Sequence, residues 1–351
     1  MSSKNNNLLN WIFIVQLFLF GLIITGLLPR ETSVFLAIGL AVYVTMAPIE
    51  EVTLFFVRSI PLFIAIPITA NYDNLNTWRI LSIILFLKLT HITGLKYFLK
   101  IKDFSRPAKL LLVLLTLAVL SVIPAVDKAA AVTRIIYFIN LSLAGIVVYY
   151  LVQHNPHLEA KLPSGSLAST DSNFATRLIK NIAIPIIIVT IIGFIQVAST
   201  YFIDIYQFMR IWGEGIQMKQ FGVLWSQIAV RLGNTWFAYY GDQLSLRVFS
   251  LFPDSHSFPQ FVLLGLPSVF AISLLKIFSQ IPDSIRQPAD KIHGLKEMIK
   301  TRANMSVLWI PAGFLAAILS GTRGIWAASV GVIIIILGVV YCMYRTKAEN
   351  Y

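Results

Sequence analysis

Two arginines stand at the ends of apolar runs, where an unpaired cation is costly and is normally kept for an anionic partner. Arg247 opens the stretch Arg247-Val-Phe-Ser-Leu-Phe-Pro-Asp-Ser-His-Ser-Phe, and Arg323 lies in Ser320-Gly321-Thr322-Arg323-Gly324, at the start of the last apolar run. A guanidinium fork holds phosphate oxygens bidentately, so such a pair fits a diphosphate better than a lysine charge does. Gly321 and Gly324 flank Thr322 and Arg323. A glycine turn at a helix start exposes backbone N–H groups to an anion, and the helix dipole adds to the arginine charge. The plainer reading is a tight inter-helix turn.

Asp254 and His256 lie close to Arg247 and just before an apolar run, and either could accept a proton from an attacking hydroxyl. Equally, Asp254 could cap the helix that follows. Gln196, near the end of another run, could hydrogen-bond a sugar or pair with a neighbouring helix. Arg79, Lys128, Arg134, Arg210 and Arg231 read as cations that snorkel to lipid headgroups, as do Arg58 and Lys88 near the inner ends of spans. His154 and His157 read as solvated linker residues, and Glu214 and Asp242 as solvated carboxylates. No CxxC pair or His/Cys cluster points to a metal, and none of these residues implies a cofactor. Cys342 is the single cysteine, which excludes an intrachain disulfide framework.

The elements that position these groups are membrane helices. The chain of 351 residues is 57% hydrophobic and only 13% charged, about half the charge content of a soluble domain. Its net charge of +12 would suggest nucleic acid in a soluble protein, but here the excess follows topology and no nucleic-acid partner is expected. A helix needs about 20 apolar residues to cross a bilayer. That template predicts about ten spans, over 8–28, 33–48, 54–70, 77–94, 108–125, 130–151, 178–198, 257–279, 306–320 and 324–344. The fold class expected is therefore all-α, a polytopic helix bundle. The first run is too long for a signal-peptide core and reads as a retained helix.

Basic residues set the orientation. Lys96, Lys100, Lys102, Arg106 and Lys109 crowd one connection, and Arg286, Lys291, Lys296, Lys300 and Arg302 another. With an even number of spans all fall on the side of Lys4, so the positive-inside rule places both termini in the cytoplasm. The opposite face carries the segment 200–255, where Trp212, Trp225, Trp236, Phe237, Tyr239 and Tyr240 are interleaved with Glu214, Lys219, Arg231 and Asp242. That mixture suits helices lying in the bilayer interface, with breaks at Asn234 and Gly241. Two regions follow: helices and a cytoplasmic linker over 1–176, and a core over 177–351.

Gly193-Phe-Ile-Gln196, Arg247-Val-Phe-Ser-Leu-Phe-Pro-Asp, and Leu319-Ser-Gly-Thr-Arg323-Gly-Ile-Trp326 together resemble the O-antigen ligase/polymerase family over about 192–338. Its members are polytopic inner-membrane glycosyltransferases that use undecaprenyl-diphosphate-linked glycans on the periplasmic side, in cell-surface polysaccharide assembly. The resemblance implies that Arg247 and Arg323 hold the donor diphosphate without a metal, while an acceptor glycan or lipid supplies the attacking hydroxyl. The family continues past the arginine turn with a second periplasmic segment and an important histidine that nothing here matches. The resemblance therefore implies a truncated product, or a shortened relative that is inactive or uses another base such as His256. The rival class is a transporter or a lipid-linked-saccharide-binding membrane protein without catalysis. A transporter should show paired halves with matching broken spans, and no second copy of the arginine-bearing hairpin is present in the sequence.

Overall fold

The computed structural model describes residues 2–68, 75–94, 106–154, 174–232, 236–240, 242–279 and 305–349. Helices dominate, and the chain divides into two units, Met1–Thr176 and Arg177–Tyr351. The lysines and arginines of 95–105 and 280–304, the linker over 155–173 with His157, and the expected breaks at Asn234 and Gly241 lie outside the described residues; of the first basic cluster only Arg106 and Lys109 remain.

In the first unit, α1 (Ser2–Thr25) ends at Gly26, whose φ of +83° suits a residue without a Cβ. Helix α2 (Thr32–Met46) stops before Pro48, and α3 (Ile49–Ser59) starts there with Glu50 and Glu51 in its first turn, where acidic charge favours a helix N-terminus. The expected third span over 54–70 is overturned. Helix α3 ends at Ser59 and passes through a 3₁₀ turn (Ile60–Leu62) into the short strand β1 (Ala65–Ile66). Pro61 and Pro67 supply the reason, since proline has no N–H for a helix interior and biases the preceding residue toward extended backbone. Strand β1 pairs antiparallel with β2 (Leu75–Asn76). The Asn76 side chain then accepts from Trp78 N and starts α4 (Thr77–Thr93). Helices α5 (Arg106–Leu120) and α6 (Lys128–Gln153) follow, the latter capped by Asp127.

Two cations expected to snorkel are held inside this unit. Arg58 is only 9% exposed, donates to Asn10 Oδ1 at 2.7 Å and lies over the Phe13 ring. Lys88 reaches back to the carbonyls of Val44, Thr45 and Ala47, at the negative end of α2. The Asn10 oxygen and Phe13 ring beside the buried Arg58 guanidinium, and the carbonyls around the half-buried Lys88 ammonium, compensate charges that the bilayer would not solvate.

The second unit begins within α7 (Phe174–Ser199), continues through α8 (Ile205–Phe208), a π-helical stretch (Met209–Gln217), α9 (Met218–Phe221) and α10 (Val223–Leu232), and then a hairpin of β3 (Phe237–Tyr240) and β4 (Gln243–Leu246). Helices α11 (Ser257–Ser279), α12 (Met305–Leu319) and α13 (Arg323–Glu349) complete it. The reading of 200–255 as interfacial helices alone is therefore corrected. Trp212 and Trp236 are buried with Phe208 and Phe249 in a small aromatic core, and Trp236 stacks on Phe249 at 5.0 Å. Tyr201, Phe202, Tyr206 and Tyr239 remain exposed. Aromatic composition alone does not tell a ring that faces lipid from one that faces its own hairpin. Helices α7, α11 and α12 pack through glycine: a Cβ on Gly265 would run into Ile186, and one on Gly313 would meet Leu266 at 2.6 Å.

Among the described residues three helices are long and apolar enough to cross a bilayer: Asn7–Thr25, Lys128–Gln153 and Phe174–Ser199. Helix α2, with 15 residues, measures about 22 Å at 1.5 Å per residue, short of a hydrocarbon core of about 30 Å.

Candidate functional site

The site grows from the end of the hairpin. Arg247 N donates to Trp236 O at 2.7 Å, extending the strand pairing by one residue, and Val248 N donates to Leu319 O at 3.2 Å, tying the segment to the end of α12. From there Val248, Phe249, Ser250 and Leu251 run buried. Gln196, fully buried near the end of α7, grips them. Its Oε1 accepts from Phe249 N at 3.2 Å and Ser250 N at 2.7 Å, and its Nε2 donates to Ser250 O at 3.1 Å. Ser250 has a φ of +52°, a left-handed conformation that costs a residue with a Cβ about 1 kcal/mol. The clamp, with a 2.6 Å bond from Ser250 Oγ to Val189 O, holds it there. Gln196 is thus a strut beneath the site, with both ends of its amide engaged by backbone rather than turned toward a sugar.

Further along, Gln217 Nε2 donates to Phe252 O at 2.9 Å and Trp236 Nε1 to Pro253 O at 3.3 Å. Asp254 Oδ1 accepts from the backbone N–H groups of His256 and Ser257, each at 2.8 Å, and Oδ2 accepts from Ser257 Oγ at 2.9 Å. Of the two readings of this carboxylate, the geometry has it capping α11. His256 projects outward, its side chain 54% exposed.

Four helix termini now meet at one end of the unit: the C-termini of α7 and α12 and the N-termini of α11 and α13. Ser320 N and Gly321 N close the end of α12 onto Ala317 O and Ile318 O, with Gly321 at φ +65°. Gly324 is different. It is the second residue of α13, and a Cβ there would meet nothing within 4 Å. Gly321 is required by the turn; Gly324 leaves open space in front of the helix.

Arg247 joins these parts. Its Nε donates to Ser320 O at 3.3 Å, and one Nη to both Thr322 Oγ1 at 3.1 Å and His256 Nε2 at 3.3 Å. The Thr322 hydroxyl in turn donates to Ser255 O at 3.3 Å. Arg323 follows as the exposed first residue of α13. Among the described residues no acceptor faces the backbone N–H of Arg323 or Gly324, as expected for the first turn of a helix. A guanidinium, an imidazole, a hydroxyl and free N–H groups therefore share one exposed corner, beside a second arginine. Thr322, between Gly321 and Arg323, is the residue that links the two segments, a role that was not assigned to it from the sequence.

Among the described residues no group of His, Cys, Asp or Glu could hold a metal. Elsewhere, an open groove of about 530 Å³ between α5 and α6 is lined by Arg134 and Asp127, but Asp127 caps α6 and the remaining walls are mostly small or apolar. The convergence of several donors favours the corner around Arg247. Arg79, by contrast, lies 3.8 Å over the ring of Tyr137 in the first unit.

Fold and sequence together define a mostly helical, membrane-associated protein with a cationic corner at the end of its second unit. No protein-family model matches the chain, and no curated protein or solved structure does so either.

Proposed function

We propose that the chain binds an undecaprenyl-diphosphate-linked glycan and transfers or polymerises it, as the resemblance to the O-antigen ligase/polymerase family implies. The observation that carries this reading is the bonding of Arg247 to Ser320 O and Thr322 Oγ1, 73 and 75 residues further along the chain. That contact brings the first arginine to the turn from which Arg323 extends. Two guanidinium groups and the N-terminus of α13 would grip the diphosphate, and the charge growing on the departing oxygens would be stabilised electrostatically, without a metal. An acceptor glycan or lipid hydroxyl would attack the anomeric carbon from the opposite side. In this reading the apolar helices cross the inner membrane with both termini cytoplasmic, and the corner faces the periplasm, where lipid-linked glycans are assembled.

The test is binding of a purified undecaprenyl-diphosphate glycan to the protein in nanodiscs. Each charge-assisted contact contributes about 1.5–3 kcal/mol, so Arg247→Ala and Arg323→Ala should each weaken binding by about ten- to a hundredfold. Arg79→Ala should leave it unchanged. Wild-type affinity in both of the first two variants refutes the site.

A further inference from the structure

We infer that the groove between α5 and α6 in the first unit is a lipid site. It takes a zwitterionic phospholipid with a primary-amine head group, the ammonium on Asp127 and the phosphate on Arg134. It does not rest on the diphosphate reading of the Arg247 corner. The groove measures about 530 Å³, in the range of small-ligand sites. Ala118 on α5 and Ala130 and Ala131 on α6 leave the space, and Ile135 and Phe138 line it further along α6. Asp127 and Arg134 are the two charged side chains on its walls, and among the described residues neither takes part in an ion pair. Lys128, the neighbouring cation, is not part of the walls. Asp127 Oδ1 accepts from Ala130 N at 2.9 Å, which leaves Oδ2 for a ligand. Arg134 lies two helical turns beyond Asp127, so both occupy one face of α6, about 10 Å apart along its axis.

The order of these groups selects the occupant. Helix α6 is long and apolar enough to cross a bilayer, so in a membrane its first turn lies at the surface and each later residue lies deeper. From the surface inward the groove therefore presents a carboxylate, a guanidinium and then the apolar side chains of Ile135 and Phe138. An aminophospholipid carries its parts in the same sequence: ammonium, phosphate, acyl chains. The match holds on either side of the membrane. An arginine stem lies along apolar surface and lets its head reach outward, which shortens the span the lipid head group must bridge. A basic pocket without an acidic wall would select an anionic lipid. Here such a lipid offers no cation to Asp127, and a choline head, whose nitrogen bears no hydrogen, cannot donate to it.

The test is competition among lipids for the full protein. Nanodiscs are made with equal parts of phosphatidylethanolamine, phosphatidylglycerol and phosphatidylcholine, and native mass spectrometry reads which lipids the released protein retains. The wild type should retain phosphatidylethanolamine over each of the others by about fivefold, the scale of one partly exposed ion pair. Asp127→Asn should abolish that preference without unfolding α6, because an asparagine at this position still accepts from Ala130 N. Arg134→Gln, a change at an exposed position, should lower retention of all three phospholipids. Retention in the proportions of the bulk mixture, or led by phosphatidylglycerol or phosphatidylcholine, overturns the inference. So does a preference for phosphatidylethanolamine that survives Asp127→Asn, or retention that Arg134→Gln leaves unchanged. None of these outcomes bears on diphosphate binding at Arg247.

Discussion

Replacing Gln196 should uncouple the Arg247 segment from α7. In Gln196→Leu, the N–H groups of Phe249 and Ser250 and the carbonyl of Ser250 lose their partners at a site closed to water. An unsatisfied buried group costs about 1–3 kcal/mol. Three such groups, partly relieved by local shifts, give about 3–5 kcal/mol. Ser250 also loses what holds it in a left-handed conformation, so the segment should relax and Arg247 should drift from Ser320 and Thr322. Gln196→Glu separates the components. Its carboxylate still accepts from the two N–H groups, but it faces the Ser250 carbonyl with no donor. Only the protonated acid restores that bond, so the folded state binds a proton that the unfolded chain releases and the variant gains stability as pH falls. Thermal unfolding in nanodiscs at pH 5 and pH 8, with pyrophosphate binding in parallel, measures both effects. The argument is refuted if Gln196→Leu melts like the wild type, or if Gln196→Glu is no more stable at pH 5 than at pH 8.

The two glycines of the arginine turn should respond in opposite directions. Gly321→Ala, at φ +65°, should destabilise by about 1–2 kcal/mol, whereas Gly324→Ala, helical and unobstructed, should be neutral or stabilise by up to about 1 kcal/mol; equal melting temperatures would contradict the turn geometry. The side of the membrane is open to direct measurement at Asp242, which is exposed in the hairpin turn. With Cys342 replaced by serine, Asp242→Cys should react with an impermeant maleimide from the periplasm, and labelling from the cytoplasm would reverse the proposed topology.

Much of the second unit was legible in the residues. The apolar run at 257–279 coincides with α11, and Pro253-Asp254-Ser255 announced the cap that starts it. The hairpin also had a signal that the aromatic composition obscured: Phe237-Ala-Tyr-Tyr and Gln243-Leu-Ser-Leu are separated by Gly-Asp, a pair that favours a two-residue turn. Read as interfacial helix, that stretch hid a core.

Local chemistry determined where most helices begin and end, that many of the runs are apolar enough for a bilayer, and which few residues carry charge or a special turn. These depend on side chains a few positions apart, through caps, prolines and apolar runs. Only tertiary structure decided that Gln196 props a loop 54 residues away, that Arg58 and Lys88 are held inside the protein, and that Arg247 reaches the turn before Arg323. Each of these depends on which helix termini share one end of a unit. Hydropathy, which measures the affinity of a segment for lipid, carries no information about its neighbours.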